Sequence, residues 1–304
     1  GTPAAPTAQA VRSYLAEFLS DPLVVELPRF VWLPILHGIV LRTRPQRSAA
    51  KYAAIWTAEG SPLAVHTARQ AKLLQAALPD VQVEYAMRYG EPGIAAGLQK
   101  LSGRSDLVVL PLYPQYARST TESVRDALPA GLRMIESFHD HPAYVGALAA
   151  GVKRHWEANG RSELHVMSLP GLPRRSVERG DPYERHCKRS ARFLAAALGL
   201  DDKQWKLTFQ SRFGAAKWLE PYTQPTLVEL AQAGVRKVDV VCPGFVSDCL
   251  GTLEEIGIEA RRAFLAAGGT ELSVIPCLNE SPEWIDAMAK IVREPATELQ
   301  KTIE

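Results

Sequence analysis

Several side chains that can move protons or hold ions follow short apolar runs of the chain. Tyr113 ends the run DLVVLPLY, and Glu255 belongs to the segment SDCLGTLEE. A carboxylate can accept protons or ligate a cation, and a phenol can donate a hydrogen bond to a ligand. For Tyr113 the alternative interpretation is a packed aromatic side chain whose hydroxyl binds the backbone.

Basic and hydroxyl side chains form a second group of candidates. Arg42, Arg44 and Arg47 follow the apolar segment FVWLPILHGIVL. Guanidinium groups pair with carboxylates through two parallel hydrogen bonds, so these arginines indicate an anionic ligand, with a solvated basic surface as the alternative. Ser119 and Thr120, in RSTTES, can hydrogen-bond a ligand carboxylate or cap the next helix.

The histidines and cysteines give weaker indications of metal binding. His139 and His141, in FHDHP, have a spacing that suits a metal, but Pro142 follows them and predicts the start of a helix. His165 lies within a predicted strand, so we expect a satisfied interior histidine. The cysteines form no CxxC pair, which favours buried thiols over disulfides or an iron–sulfur cluster. They are Cys187, Cys242, Cys249 and Cys277.

Charge and hydropathy argue against several classes of partner. The formal net charge is +2, with acidic and basic residues interspersed, so no nucleic-acid partner is expected. No run of about 18 apolar residues predicts a membrane span, and no signal peptide is visible, so we expect a cytoplasmic location. The segment from Phe30 to Leu41 is too short to span. A buried or lip-lining helix is one interpretation of it, and peripheral contact with the inner membrane is another.

Strand-like and helix-like segments alternate along the chain. The predicted strands are 81–89, 106–113, 132–138, 163–169, 206–211, 237–242 and 272–277. The predicted helices include 142–157, 183–198, 226–233, 252–267 and 281–292. Nearly continuous apolar strands that alternate with amphipathic helices predict mostly parallel sheets flanked by helices, arranged as two Rossmann-like domains.

The predicted domain boundary lies in the polar stretch after residue 155. We expect an N-terminal domain of residues 1–155 and a C-terminal domain of residues 156–304, with the last helix packing back on the N-terminal domain. In open α/β sheets, ligands lie at the carboxyl ends of strands, which is where the distinctive loops fall. This clustering predicts one large cleft between the two domains. The chain has neither a GxGxxG sequence nor a P-loop, so no nucleotide is expected.

The whole chain resembles the ferrochelatases, which insert ferrous iron into protoporphyrin IX. The segments that carry the resemblance are RPQRSAAKYAAIWTAEGSPL, VLPLYPQYARSTTES, GLPRRSVERGDPY, FQSRFGAAKWLEPYT, VVCPGFVSDCLGTLEEI and PCLNESPEW. The resemblance implies that Tyr113 and Phe245 face a tetrapyrrole, protoporphyrin or haem, and that the arginines and hydroxyls above hold its propionates. It implies no required cofactor.

Two positions depart from that family where its chemistry is thought to lie. The family reads F-S-x-H-G-[LI]-P where this chain has Pro170, and it has a glutamate where this chain has Gly251. Proline has neither a titratable group nor a backbone N–H. Both substitutions shorten side chains, so we expect a wider space at the metal position. Glu255 matches a second acidic position of the family and is expected to join an acidic relay.

The beginning of the chain carries a further expectation. Ferrochelatases open with an apolar strand that ends in N-L-G-T-P, and this chain starts at Gly1-Thr2-Pro3. Without that strand, the first sheet would have unpaired backbone groups unless another segment filled its place.

Three interpretations of function stay open from the sequence. The first is a tetrapyrrole-binding protein with lost or altered insertion chemistry. The second is a working ferrochelatase that uses substitute residues such as Glu255 and Tyr113. The third is a noncatalytic partner of an intact ferrochelatase.

Overall fold

The protein is described by a computed structural model that covers residues 1–104 and 106–294. The chain folds into two compact units. Of the described residues, the first unit comprises those within 1–111 and 117–136, and the second comprises 112–116 and 137–294. Residues 137–155, which the sequence analysis placed in an N-terminal domain, therefore group with the second unit. The predicted packing of the last helix on the N-terminal domain stays a prediction.

The first unit is mostly helical. Its helices are α1 (Ala8–Ser20), α2 (Arg29–Ile35), the π-helix π1 (Leu36–Val40), α3 (Leu41–Ile55), α4 (Pro62–Ala77), α5 (Ile94–Lys100), π2 (Arg118–Glu122) and α6 (Ser123–Asp126). Two short parallel strands, β1 (Val108–Val109) and β2 (Arg133–Met134), pair with each other. Helix α1 packs against α3 and buries Val11, Leu15 and Leu19.

A buried carboxylate joins the segments of the first unit. Asp21 Oδ2 accepts hydrogen bonds from Tyr89 Oη at 2.7 Å, Ser123 Oγ at 2.5 Å and Arg88 Nη2 at 2.8 Å. Burial alone would raise the pKa of Asp21, but the bonds from Ser123 and Tyr89 and the charge of Arg88 outweigh it, and the pKa is lowered. The ionised carboxylate therefore fixes the end of α1 to the segments around residues 89 and 123.

The strand predicted at residues 81–89 does not form. In the described part of the chain this segment has no ladder partner, and Met87 makes only an isolated bridge with Gly93. Strands need a neighbouring backbone for their hydrogen bonds, and apolar alternation alone does not supply one. The strands predicted at 106–113 and 132–138 are much shorter in the structure. Only the residues of β1 and β2 have a paired backbone.

The second unit contains one parallel sheet covered by helices. Its elements are α7 (Pro142–Asn159), β3 (Leu164–Pro170), α8 (Arg174–Glu178), α9 (Tyr183–Leu198), β4 (Trp205–Gln210), α10 (Thr223–Gln232), β5 (Lys237–Val241), π3 (Gly251–Ala260), α11 (Arg261–Ala266), β6 (Glu271–Val274) and α12 (Pro282–Arg293). The strand order is β4-β3-β5-β6, all parallel. These elements confirm the predicted α/β class, with parallel strands flanked by helices.

The core of the second unit lies between the sheet and its helices. Strands β3, β5 and β6 bury aliphatic side chains against α10, π3 and α11. The members of this cluster are Leu164, Val166, Leu227, Ala231, Val238, Val240, Cys242, Ile256, Ala260, Phe264 and Leu272. Helix α7 packs against both α9 and α12. This rigid packing fixes where each strand ends, and so fixes the loops that follow.

Candidate functional site

The order of the strands marks one end of the sheet as the place for a ligand. Strand β4 lies on one side of β3, and β5 lies on the other side. The loops that leave the carboxyl ends of β3 and β5 therefore run in opposite directions. Ligands of doubly wound sheets bind at such a switch point. Pro170 ends β3, and the loop from Cys242 to Phe245 follows β5. Both fall at this edge, as the sequence predicted.

Pro170 is fixed by contacts on three sides. It pairs with Gln210 in the sheet register, and its carbonyl accepts a hydrogen bond from Tyr183 Oη at 2.7 Å. A Cβ atom added to Gly244 would lie 2.4 Å from Cδ of Pro170, so the proline ring sits against the Gly244 backbone. Pro170, at which the sequence analysis expects the change from histidine, is therefore a packed ring without a titratable atom.

Gly251 lies at the first position of π3, close to two side chains. A Cβ atom added there would be 3.2 Å from Cζ of Phe245 and 3.3 Å from Nε2 of Gln210. Both distances are shorter than ordinary van der Waals contact. Phe245 and Gln210 therefore pack beside the Gly251 backbone, and the wider space expected at the metal position stays a prediction.

Gln210 connects the end of β3 with the start of π3. Its Oε1 accepts hydrogen bonds from Ser168 Oγ at 2.7 Å and from Cys242 Sγ at 3.6 Å. Its Nε2 donates to the Gly251 carbonyl at 2.7 Å and to Glu255 Oε2 at 3.4 Å. The side chain is 4% exposed, so this carboxamide has a buried partner on both sides.

Glu255 is held by Ser211, the residue after β4. The Glu255 carboxylate accepts the Ser211 N–H at 2.6 Å and the Ser211 Oγ hydrogen at 2.5 Å. Ser211 has φ 66°, a left-handed conformation that non-glycine residues rarely adopt. These two hydrogen bonds fix the orientation of the carboxyl group, a group that can take up a proton or hold a cation.

The segment with Tyr113 belongs to the second unit. Gln115 donates to Ser190 Oγ at 2.9 Å and to the Pro243 carbonyl at 3.2 Å, which ties this segment to the loop after β5. The Tyr116 N–H donates to His186 Nδ1 at 3.2 Å. Tyr113 is half-buried and, like Phe245, lies in a segment joined to the carboxyl edge of the sheet.

His139, His141 and His165 are packed in the fold, and within the described residues they belong to no cluster that could hold a metal. His139 stacks on His186 with ring centroids 3.8 Å apart, and burial lowers the pKa of His139 to about 3. His141 accepts the Ala143 N–H through Nδ1 and caps α7. His165 is interior, as expected, but neither of its ring nitrogens finds a hydrogen-bond partner among the described residues. The expectation that it is satisfied is therefore wrong.

The remaining predicted residues lie in the first unit. Arg42, Arg44 and Arg47 are exposed on α3. Ser119 and Thr120 lie in π2, where Thr120 Oγ1 donates to the Ala117 carbonyl at 3.2 Å. That bond runs back to the preceding turn and caps no helix, so both alternatives for Thr120 stay open. A propionate-binding role for these five residues stays a prediction.

Three residues of this site were not predicted from the sequence. Gln210 and Ser211 lie in the motif FQSRFG, at the end of a predicted strand. That position is the sequence signal by which both could have been predicted as site residues. Trp218 is 5% exposed, its Nε1 has no described partner, and a Cβ atom added to Gly171 would lie 3.1 Å from its ring. The close approach of Gly171 to the indole depends on distant segments that a local pattern does not reveal.

The described residues contain neither a metal cluster nor a membrane-spanning helix. Within 1–104 and 106–294, no group of three or more His, Cys, Asp or Glu side chains could hold a metal ion. In the same ranges, every helix is too short or too polar to cross a membrane.

Comparisons with known proteins agree with the geometry. The ferrochelatase family model matches residues 1–296. A ferrochelatase of Azoarcus sp. is 57% identical, over 97% of this chain and 85% of that protein. A ferrochelatase of Bordetella pertussis is 52% identical, over 96% of this chain and 85% of that protein.

Solved chelatase structures share the fold at low identity. CbiX, described as the terminal enzyme of sirohaem biosynthesis in denitrifying bacteria, superposes with a TM-score of 0.51 at 16% identity, over 77% of this chain and 93% of its own. The sirohydrochlorin chelatase SirB of Bacillus subtilis subspecies spizizenii, solved with cobalt, gives 0.51 at 16% identity, over 80% and 94%. These structures show the fold alone, whereas the family model and the two ferrochelatases of high identity show that the chain belongs to the ferrochelatase family.

Proposed function

We propose that the chain binds a tetrapyrrole, protoporphyrin or haem, and that its iron-insertion chemistry is lost or altered. The observation that carries this proposal is Pro170, which ends β3 at the position of the family histidine and packs against Gly244. Family membership supports the tetrapyrrole as ligand. The absent imidazole supports the change in chemistry.

Metal insertion requires the removal of two pyrrole protons, and a base with a pKa near neutrality suits that step. A positioned general base typically contributes about 10²–10⁴-fold to a rate. Pro170 has no such group, and Gly251 brings no carboxylate to its position. Binding of the macrocycle depends on other contacts and is expected to survive both substitutions.

The second candidate is a working ferrochelatase that uses Glu255, with Tyr113 beside the ligand. The bonds from Ser211 to the Glu255 carboxylate favour it, because they hold a potential proton acceptor in one orientation. In this candidate, Glu255 accepts the pyrrole protons through water. The carboxylate then matters for turnover but not for binding of the porphyrin.

Zinc insertion into protoporphyrin IX, measured by fluorescence beside a protein-free control, separates the two candidates. The first predicts saturable binding of micromolar haem and no zinc insertion above background. The second predicts insertion well above background that falls in Glu255→Gln and persists in Glu259→Gln, a matched change on the same helix. Absence of saturable binding of both haem and protoporphyrin would reject both candidates.

We further propose a cytoplasmic protein with peripheral membrane contact through the segment from Phe30 to Leu41. Phe30 is 83% exposed and Val31 is 42% exposed on α2, and Ile39 is 60% exposed on π1. Exposed apolar side chains concentrated in one segment support an interaction surface there. Co-sedimentation with vesicles of phosphatidylethanolamine and phosphatidylglycerol is expected to fall in Phe30→Ser and to persist in Phe193→Ser, a change on α9. Equal sedimentation of the two variants would contradict this contact.

A further inference from the structure

A row of basic side chains runs along the outer side of α9 in the second unit. Its members are Arg185, Lys188 and Arg192, which are exposed, and Arg189, which is partly exposed. Residues three, four and seven positions apart share one side of an α-helix, so these four cations lie in one row. The row extends about 10 Å along the helix, at a rise of 1.5 Å per residue. We call these four side chains the basic face of α9.

The opposite side of α9 holds the helix in the fold. Cys187, Ala191 and Leu194 are 0% exposed, and α9 packs against α7. An amphipathic helix of a globular domain is stabilised mainly by the burial of its apolar side. The core contacts of α9 therefore do not explain why four cations are placed in one row on its outer side.

The positive charge of the basic face is only partly compensated within the chain. Lys188 Nζ pairs with Glu184 Oε1 at 2.8 Å, and Arg189 Nε lies 2.7 Å from Asp140 Oδ2. In the part of the chain that the structure describes, the other two side chains of the face form no ion pair. Two guanidinium groups are therefore available to carboxylates from outside the chain.

The spacing of the four cations is unfavourable for the isolated chain. Arg185 and Arg189 are four residues apart, as are Lys188 and Arg192, and like charges at this spacing repel each other on a helix. Arg185 also lies in the first turn of α9, where the helix dipole disfavours a positive charge. Positions that break such local rules without a compensating contact in the fold are expected at functional surfaces.

An exposed aromatic side chain lies beside the basic face. Phe193 is 42% exposed, and Arg189 Cζ lies 5.4 Å from the centre of its ring. Arginine and aromatic side chains are enriched in protein–protein interfaces and supply much of their binding energy. This composition favours a protein as the partner of the face.

Membranes and nucleic acids fit the surface less well. A helix that lies in a membrane surface inserts a wide apolar side, and the apolar side of α9 is buried in the core. A nucleic-acid-binding domain is usually strongly basic, whereas the net charge of this chain is +2.

We propose that the basic face of α9 binds an acidic helix of another protein. Glutamates or aspartates three, four and seven residues apart on that helix match the spacing of the four cations. Arg185 and Arg192 pair with these carboxylates, and the pairing offsets the repulsion along α9. An apolar side chain of the partner helix packs on Phe193.

The test uses two fluorescently labelled synthetic peptides of identical composition, rich in glutamate and containing one leucine. In the first peptide, the glutamates recur at intervals of three and four residues around the leucine, as on one side of a helix. The second peptide has the same residues in scrambled order. Fluorescence anisotropy measures binding, and we expect the wild-type chain to bind the patterned peptide at least tenfold more tightly than the scrambled one.

Matched variants locate the binding on α9. Arg185→Gln with Arg192→Gln is expected to weaken binding of the patterned peptide at least tenfold, and Phe193→Ser is expected to weaken it as well. Arg261→Gln with Arg262→Gln removes two exposed arginines from α11 and should keep wild-type binding. Because like-charge repulsion is removed, the α9 double variant should unfold at the same urea concentration as the wild type or at a higher one.

Several outcomes would overturn the proposal. Absence of binding, equal affinity for the two peptides, or equal loss in the α9 and α11 double variants would leave only unspecific charge attraction. A lower urea midpoint in the α9 double variant would assign its arginines to the fold. Sedimentation with phosphatidylglycerol vesicles that falls in this variant would assign the face to a membrane. Concentration-dependent gel-filtration elution that only this variant loses would assign it to a second copy of the chain.

Discussion

Gln210 donates its side-chain N–H to the carbonyl of Gly251 at 2.7 Å, and thereby joins the strand beside Pro170 to the first residue of π3. Pro170 and Gly251, the two positions that the sequence analysis singled out as departures from the family pattern, therefore share one neighbour. A carboxamide does not titrate near neutral pH. This hydrogen bond therefore holds the two segments in place but supplies neither a general acid nor a general base. Under the proposed function, we expect metal insertion to return when both groups are restored together.

The double substitution Pro170→His with Gly251→Glu is the first prediction. We expect zinc insertion into protoporphyrin IX to rise by about 10²-fold or more, because a positioned base contributes on that order. Gly251→Glu alone is expected to lower stability, since its Cβ meets Phe245 at 3.2 Å. Insertion kinetics and urea unfolding measure the two effects. An unchanged insertion rate in a folded double variant would remove these two positions from the chemistry.

Gly244 and Pro170 are predicted to be energetically coupled. Gly244→Ala would bring a Cβ atom to 2.4 Å from the proline ring, and overpacking of this kind typically costs about 1–3 kcal/mol. In a Pro170→Ala background the obstructing Cδ is gone, so the same substitution is expected to cost less. A double-mutant cycle of urea unfolding measures the coupling. Equal costs in both backgrounds would show that the contact relaxes freely.

Ser211 allows a test of backbone strain beside the Glu255 carboxylate. Ser211→Gly and Ser211→Ala both remove the hydroxyl that donates to Glu255, but only glycine adopts φ 66° without a Cβ penalty. We therefore expect the glycine variant to be more stable than the alanine variant by roughly 1 kcal/mol. Chemical denaturation of the pair gives this difference directly, and the reverse order would mean that the turn changes its conformation in solution.

The sequence predicted some elements well because their signals are local. The strands that became β3 to β6 are apolar runs that end within about three residues of the predicted bounds, and α9 matches at both ends. The segment 81–89 shows the opposite case, since a strand depends on a partner that lies elsewhere in the chain. The conformation of π3 was also missed, because an apolar repeat does not distinguish a π-helix from an α-helix.

The sequence predicted which residues belong to the candidate site, but it did not predict which side chains they contact. Pro170, Gly251 and Glu255 were singled out from motif positions, and their meeting around Gln210 follows from the β3–β4 register and the placement of π3. His165 illustrates the limit for interior residues. Its place in a strand predicted burial, but whether its nitrogens find partners depends on side chains from distant segments.

The last prediction concerns stability in acid, through the stacked pair His139 and His186. Burial lowers the pKa of His139 to about 3 and that of His186 to about 4. The charge of Arg189 lowers both pKa values further, and the ring of His186 adds to the effect on His139. An unfolded histidine has a pKa of about 6.5, so the unfolded chain takes up protons first as the pH falls. Stability from this pair is therefore complete above about pH 6.5 and declines as the pH falls towards 4.

Each histidine that stays neutral in the fold should contribute about 1.4 kcal/mol per pH unit to that decline. His139→Phe keeps a ring over His186 and removes one titrating group, so its unfolding free energy is expected to fall less steeply between pH 6 and 4. His37→Phe, a change at an exposed histidine, serves as the control and should keep the wild-type slope. Urea unfolding at several pH values gives the slopes. Equal slopes for wild type and His139→Phe would mean that His139 is already protonated in the folded protein over this pH range.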